Sequence, residues 1–367
     1  MKKKKIYNVI GVMTGTSMDG IDISYCSTDG HKILKIHNEN VFTYSKLQQN
    51  RIKKITKKEI KKKSLMGVIN LNISDVLIKN INKFINNNKI MKSKIDFISL
   101  SGQTILHNPK EKVSIQIGNP QYISDKLRLN IVSDFRINDI IAGGQGAPIG
   151  AYYHKHLIKK INSKSVIINL GGVANFSLIH NNKFISSDIG PANAISDDLM
   201  YYFFKKKFDN KGIVAAKGTL DKNILNLFIK DKFLKKNFPK SLDRNHFHFI
   251  FKKLIKLKSN NAITTAVQLT IYSILLLLQN KICNKVEEVI FTGGGRKNKF
   301  LLTTLKKIKK NIKISLIDEY GLNGDLIEAQ MFAYIGVRSL KRYVLSSPLT
   351  TGVKKSMSGG KLYKFNP

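Results

Sequence analysis

The feature that most restricts this chain is a pattern that occurs twice. Ile6 to Met13 reads as a strand, Gly15-Thr16-Ser17-Met18-Asp19-Gly20 as a turn, and Ile21 to Cys26 as a second strand with alternating apolar residues. Much further along, Val166 to Leu170, then Gly171-Gly172-Val173-Ala174-Asn175, then Phe176 to Ile179, repeat the arrangement. Two hairpins with polar, glycine-bounded tips predict two domains of similar build facing one another, and 367 residues suffice for two cores. Backbone N–H groups in such a tip can form an anion nest, to which Thr16 and Ser17 add hydroxyl donors. Two nests across a cleft would hold a polyphosphate chain. Asp19 would repel a phosphate unless a cation lay between, the pattern expected if Mg²⁺ bridges them. The first tip also reads as an ordinary tight hairpin. It is not a Walker-type loop, because no Gly-Lys-Ser/Thr follows.

The second hairpin leads through a strand, Lys183 to Ser186, into Ser187-Asp188-Ile189-Gly190-Pro191-Ala192-Asn193 and a helix from Ala194 to Lys206. A carboxylate where a sheet gives way to a helix is well placed for chemistry in α/β folds. Gly190 and Pro191 mark a sharp turn, and Asn193 suits a helix cap. Asp188 alternatively satisfies backbone N–H groups within that turn.

Other strand ends carry polar residues. Ile95 to Leu100 is a strand ending in Ser101-Gly102-Gln103-Thr104 and then His107, a residue that is either a base or structural. Ser114 to Ile117 is another, followed by Gly118-Asn119-Pro120. Asn130 to Ser133 runs into Asp134-Phe135-Arg136; the arginine fork suits a carboxylate ligand, or it pairs with Asp134 or Asp139. Ala142 to Pro148 is turn-rich and reads as an interdomain hinge without the spacing of a dinucleotide site. Val286 to Phe291 is a strand entering Thr292-Gly293-Gly294-Gly295-Arg296-Lys297-Asn298, where glycines admit either a nucleotide or close helix–strand packing. Ile33 to Ile36 and Val41 to Tyr44 read as two short strands, Ser45 to Lys63 and Leu65 to Asn86 as helices, and Ile312 to Ile317 as a late strand. Glu328 falls near the start of the last long helix, where a carboxylate usually serves the helix dipole.

Composition excludes several classes. A chain with 42% hydrophobic residues is globular rather than disordered. The formal charge of +39 invites a nucleic-acid reading, but the lysines are spread along the chain among abundant Ile and Asn, the pattern of a compositional drift on solvated faces. No specific nucleic-acid partner is expected. Cys26 and Cys283 support neither a disulfide framework nor a metal site and fit a reducing cytoplasm. Met1 to Met13 is not a signal peptide. Ala262 to Gln279 is very apolar but interrupted by Thr264, Thr265, Gln268, Thr270 and Ser273, so a buried core helix is expected and no membrane.

Taken in order, these motifs resemble the anhydro-N-acetylmuramic acid kinases, of the hexokinase, Hsp70 and actin superfamily. The resemblance rests on Gly11 to Asp22, Ser101 to His107, Gln116 to Asn119, Val132 to Arg136, Ala142 to Pro148, Asn169 to Asn175, Asp188 to Asn193, Thr292 to Asn298 and Asp318 to Ala329. Only part of the expected pattern is kept at Pro239 to Arg244. The resemblance implies an α/β fold of two actin-like (ribonuclease H-like) domains, mixed sheets with flanking helices, around a nucleotide cleft. The domains would be 1–135 and 136–349, with the tail from about 350 to 367 packing on the first. It implies a cytoplasmic enzyme, in possible homodimers, of cell-wall sugar recycling. ATP would phosphorylate O6 of 1,6-anhydro-N-acetylmuramic acid while water opens the anhydro bridge, giving N-acetylmuramate 6-phosphate and ADP. Asp188 matches the general base, and Glu328 is a second carboxylate to position the water. Gly15, Thr16, Ser17, Met18, Asp19, Gly20, Ile21 and Asp22 match the ATP phosphate loop, with Asp19 facing Mg²⁺. Gly171, Gly172, Asn175, Gly293, Gly294, Gly295 and Asn298 would complete the nucleotide site. Arg136 would meet the lactyl carboxylate or a sugar oxygen, with Ser101, Gln103 and Thr104 nearby. Another sugar or acid kinase, or a non-catalytic ATP-binding module, is the alternative on the same fold.

Overall fold

A computed structural model describes residues 5–15, 20–58 and 63–366. By its contacts the chain forms two compact units, residues 1–156 with 326–367, and residues 157–325. These boundaries differ from the expected 135/136 and 349/350. The first falls within the helix Ala151–Ile161, and the second places the last long helix with the first unit.

In the first unit, β1 (Tyr7–Thr14), β2 (Gly20–Thr28) and β3 (Ile33–Thr43) form an antiparallel meander, with β4 (Phe97–Leu100) parallel to β1. A separate hairpin joins β5 (Gln103–Asn108) to β6 (Val113–Ile117), and β7 (Ile131–Ser133) runs parallel to β4. The terminal strand Lys361–Tyr363 pairs antiparallel with β7. The sheet order is therefore terminal strand-β7-β4-β1-β2-β3. One face is covered by the helix Lys63–Asn87, whose Ile73, Leu77, Ile81, Phe84 and Ile85 recur at helical spacing and join the core of Ile10, Val12, Ile21 and Ile23. Against the other lies the helix Ile327–Leu340. A Cβ on Gly11 would collide with the Ala329 carbonyl, and Ser99 Oγ donates to the Phe332 carbonyl at 2.6 Å, so glycine and serine let helix and sheet approach closely.

The second unit repeats the order. β8 (Ser165–Leu170), β9 (Val173–His180) and β10 (Lys183–Pro191) form an antiparallel meander, while β11 (Glu288–Thr292) is parallel to β8 and β12 (Lys313–Leu316) to β11. The order β10-β9-β8-β11-β12 matches β3-β2-β1-β4-β7 in both sequence and direction. Each unit is thus a mixed sheet of the ribonuclease H-like kind. The helix Ser259–Leu278 is buried along most of its length within this unit, as a core helix.

Several local expectations change. Residues 33–43 make one strand, β3, instead of two; bulges opposite Tyr25/Cys26 and Ser27/Thr28 absorb His37 and Leu34, and the polar residues Asn38 to Asn40 pair in register. β5 occupies residues expected to be a polar loop, with Gln103 and Ile105 buried on alternate positions. Residues 142–148 do not connect the units but belong to the first. Buried Asp139 pins them: Gly146 N–H donates to its carboxylate at 2.6 Å and Gly144 N–H to its carbonyl at 2.8 Å, while Gln145 N–H reaches the Thr351 carbonyl at 2.8 Å.

Candidate active site

The expected site residues fall into two groups, one in each unit. In the second unit the register of the sheet aligns four polar residues across four strands. Thr292 on β11 pairs with Asn169 on β8, Asn169 with Asn175 on β9, and Asn175 with Asp188 on β10. Directly opposed residues share a face, so the row lies on one side of the sheet. Thr292 Oγ1 donates to Asn169 Oδ1 at 3.3 Å. The row sits at the carboxyl ends of the parallel strands β8 and β11, where α/β sheets bind ligands.

Asp188 lies inside β10 and not after it, since the strand runs on to Pro191 through a bulge between Asp188 and Gly190. The bulge re-aims the chain next to the carboxylate. Asp188 keeps part of its surface accessible. Burial of the carboxyl pushes its pKa up to about 7, although the Leu242 N–H, donating to Oδ2 at 2.8 Å, and the Ser241 side chain favour the charged form. A carboxyl poised there changes protonation near neutral pH, as a general base must.

The helix that follows spans Asn193–Phe204, and its N-cap is Ala192. Asn193 is therefore not the cap. Its side chain donates to the Leu170 carbonyl at 2.9 Å, while its own N–H meets the Gly171 carbonyl at 2.9 Å. This ties the hairpin tip to the helix start and to the neighbouring glycine-rich turn, where a Cβ on Gly295 would come within 2.7 Å of Asn193 Oδ1.

The glycines divide by what a side chain would meet. Gly293 has φ +75° and presses on Asn169 and Leu170, and Gly295 presses on Asn193 and Leu170, so both serve close packing. At Gly171, Gly172 and Gly294 a Cβ would find only ordinary contacts, at 3.7 Å or beyond. The fold does not require glycine at these three, which leaves open space beside two backbone turns. Asn298, expected near a nucleotide, instead uses its oxygen to cap the helix Lys299–Ile308 through the Leu301 N–H at 3.0 Å. Arg296 is buried and holds the turn: it makes a two-point contact with Asp318 at 2.6 and 3.0 Å, and reaches Asp325 at 2.8 Å and the Gly293 carbonyl at 3.0 Å.

In the first unit, Thr16, Ser17, Met18 and Asp19 lie outside the described residues. Just before them, Thr14 N–H donates to Ser101 Oγ at 3.0 Å, and Gln103 Nε2 donates to the Gly15 carbonyl at 3.0 Å. The β4–β5 connection thus braces the hairpin. Ile21 is fully buried in the core, so its side chain has no part in a site; Asp22 keeps partial exposure on the same strand. Gly20 fits beneath the Phe42 carbonyl, which a Cβ would approach to 2.5 Å.

A small pocket is lined by Thr14, Ser101, Thr104, Gln116, Arg136 and Phe332, and so brings together three of the four residues expected to bind substrate. Gln103 stands behind them, fully buried, with Oε1 finding no hydrogen-bond partner among the described residues. Arg136 donates to the Gly146 carbonyl at 2.6 Å. Burial lowers its pKa, while Glu328 and Asp139 act the other way. Neither aspartate offers the simple pairing expected: Asp134 accepts from Tyr363, and Asp139 accepts from Gly146 N–H and Thr351. Glu328 lies in the first turn of its helix, so its field acts on Arg136 within this unit. His107 is on β5, bonded through Nδ1 to Ser114 Oγ at 3.0 Å across the hairpin, and takes no part in the pocket lining.

Comparison with known proteins turns this geometry into an assignment. The model of the family described as anhydro-N-acetylmuramic acid kinase matches residues 7–365. The chain belongs to that family. It is 36% identical over 384 residues to an anhydro-N-acetylmuramic acid kinase of Pelagibacter ubique (strain HTCC1062), covering 98% of this chain and 99% of the relative. It is 32% identical over 364 residues to one from Rhodopseudomonas palustris (strain ATCC BAA-98 / CGA009), covering 96% and 98%. A looser likeness, at 11% identity and a TM-score of 0.44, is to the activator of 2-hydroxyisocaproyl-CoA dehydratase from Clostridium difficile with bound ADPNP, covering 91% of this chain and 96% of that one. The protein is a sugar kinase of this family, with the two-unit α/β fold that the resemblance implied.

Three features of this kinase's site escape a reading of the sequence. Asn169 enters the polar row only through register, although its place at the end of an apolar strand before Gly-Gly was a signal. Asn193 links two turns that are distant in sequence. The segment Pro239 to Leu242 lies within a stretch where only part of the family pattern is kept, and nothing in it says that its backbone will bond to Asp188.

Proposed function

We propose that this kinase transfers the γ-phosphoryl group of ATP to O6 of 1,6-anhydro-N-acetylmuramic acid while water cleaves the 1,6-anhydro bridge, with Asp188 as general base. The observation that carries this reading is the partly accessible Asp188 carboxyl, raised to about 7 and set at the end of the polar row. As a carboxylate it takes a proton from the water attacking C1. The C1–O6 bond breaks as the C1–OH bond forms, and the freed O6 attacks the γ-phosphorus. The products are N-acetylmuramate 6-phosphate and ADP, as peptidoglycan sugar recycling requires.

The chain's other residues bind and orient. Arg136, with Ser101 and Thr104, offers a cationic fork and hydroxyls in one pocket, a set that suits a carboxylate-bearing sugar such as one with a lactyl group. Glu328 helps order the water. The open space beside Gly171, Gly172 and Gly294 suits phosphate oxygens approaching backbone N–H groups. The helix start at Lys299, Phe300 and Thr303, with Lys211, Ile213 and Ala216, lines an open hollow whose apolar floor and cationic rim suit the nucleotide base. Mg²⁺ arriving with ATP would neutralise phosphate charge, and Asp19, a hard oxygen donor, is the residue expected to face it. Both cysteines are buried and free, which supports a reducing cytoplasm as the place of action.

The test is ADP release with the anhydro sugar in oxygen-18 water. Label at C1 together with phosphate on O6 supports the reading. ATP turnover with other sugars and none with the anhydro sugar would refute it.

A further inference from the structure

Asp188 does not hold its own position. Its backbone N–H donates to the Lys240 carbonyl at 3.0 Å, and its Oδ2 accepts from Leu242 N–H at 2.8 Å. The preceding residue, fully buried Ser187, makes a reciprocal pair with the same segment: its hydroxyl donates to the Lys240 carbonyl at 2.9 Å and accepts from the Lys240 N–H at 2.8 Å. Four hydrogen bonds thus fasten residues 240–242 along β10 at the base, although that segment belongs to no strand. The segment in turn is anchored by Phe238, edge-on to Phe176, by buried Leu242, and by the Lys240 side chain. Lys240 Nζ donates to the Phe233 carbonyl at 2.9 Å and the Leu234 carbonyl at 3.2 Å, and lies 4.6 Å and 5.0 Å from the ring centres of Phe233 and Phe238. An ammonium between two aromatic faces and two carbonyls is held by charge-assisted bonds and by cation–π attraction together. The carbonyls and rings are there whether or not the cation is, so removing it loosens the loop at Lys240 while Phe238 and Leu242 stay packed.

We propose that Lys240 is a positioning residue for the reaction: its ammonium locks the 238–242 segment, and that segment holds the Asp188 carboxylate in the orientation that accepts the proton. The lysine touches neither substrate nor the reacting atoms; it acts through Ser187, Ser241 and Leu242. The inference rests on the assignment of Asp188 as general base.

The experiment compares full-length wild type, Lys240→Met, Lys240→Arg and Asp188→Asn. Steady-state kinetics with the anhydro sugar are combined with amide hydrogen exchange at residues 187–189 and 240–242. Lys240→Met keeps the stem and removes the charge. It is expected to lower kcat by about 10²-fold, the scale of an ångström of misplacement, with the sugar's KM changed less than about threefold on the same grounds. Exchange at Asp188 and Leu242 should accelerate while the rest of the unit stays protected. Lys240→Arg, which can still donate to both carbonyls and stack between the rings, should recover most of the lost rate. Wild-type kcat in Lys240→Met overturns the proposal, as does accelerated exchange throughout the unit, or an arginine variant no better than methionine. If Asp188→Asn is itself active, the assignment of the base fails. If Asp188→Asn is inert and Lys240→Met is not, only the positioning role fails.

Discussion

Asp188→Asn is expected to stabilise the protein while nearly abolishing its activity. In the wild type, burial raises the carboxyl from its ordinary 3.8 to about 7. At about 1.36 kcal/mol per pH unit, keeping it ionised in the fold costs about 4 kcal/mol as an upper bound. Because the folded value lies above the unfolded one, the folded state holds the proton longer. Between roughly pH 4 and pH 7 the unfolded chain has already released it, so wild-type stability falls as pH rises through this window and levels off above. Asparagine carries no charge, keeps an oxygen for the Leu242 N–H, and escapes the penalty. Denaturant titrations of both proteins should give equal stability near pH 4. The gap should widen in the variant's favour towards about pH 7, to a plateau of about 1–4 kcal/mol, and hold steady at pH 8. Turnover should fall by about 10²–10⁴-fold, and wild-type kcat/KM should itself decline about tenfold per unit below pH 7 as the base is protonated. A stability gap that is independent of pH, or a variant less stable at pH 8 than at pH 5 relative to wild type, would refute the reasoning about the buried charge. Near-native turnover would refute the base.

The glycines supply a paired test. Gly294→Ala should fold normally and weaken ATP binding measured by calorimetry, whereas Gly293→Ala, forced into φ +75° against Leu170, should lose stability by about 1 kcal/mol or more; equal stability of the two variants would remove the distinction. Arg296→Met should destabilise the second unit by about 1–3 kcal/mol, because the Gly293 carbonyl and Asp318 lose a buried charged donor while the half-exposed aspartates stay hydrated and Asp325 keeps Lys297, and denaturant unfolding at the wild-type midpoint would count against that. The charge of +39 should produce no sub-micromolar complex with duplex DNA, single-stranded DNA or RNA at about 0.15 M salt, where unspecific attraction is screened; a saturable complex at that salt would show that the lysines have a partner.

Most of the sheet was legible because its strands are apolar runs closed by glycine. Ile6 to Met13, Val166 to Leu170 and Val286 to Phe291 all read correctly to within about two residues, as end positions usually do. The repeated hairpin carried the two-unit fold. What stayed hidden depends on contacts between distant segments. β5 was missed because Gln103, Thr104, His107 and Asn108 are polar, and only the partner β6 makes a strand of them. The contact units differ from the expected domain limits because the helix Ile327–Leu340 is buried along nearly its whole length, and its sequence does not say which sheet it will cover. The site divided likewise. Asp188, Arg136 and the glycines stand at strand ends and were readable as candidates. Which glycine serves packing and which leaves space depends on neighbours such as Asn193, and Asn298 looked like a ligand contact while serving as a helix cap.

The return of the last helix to the first unit also bears on how the chain is made. Residues 157–325 are contiguous, so that unit can close while the ribosome is still working. The earlier-made sheet cannot. Until residues 326–366 emerge, the faces of Gly11 and Ser99 have no helix to cover them, and β7 has no outer partner. The part of the protein synthesised first is therefore the last to be finished. A nonsense codon at or just before residue 326 would remove one wall of the older unit, leaving a bare sheet where a late stop in most chains would cost only a frayed end.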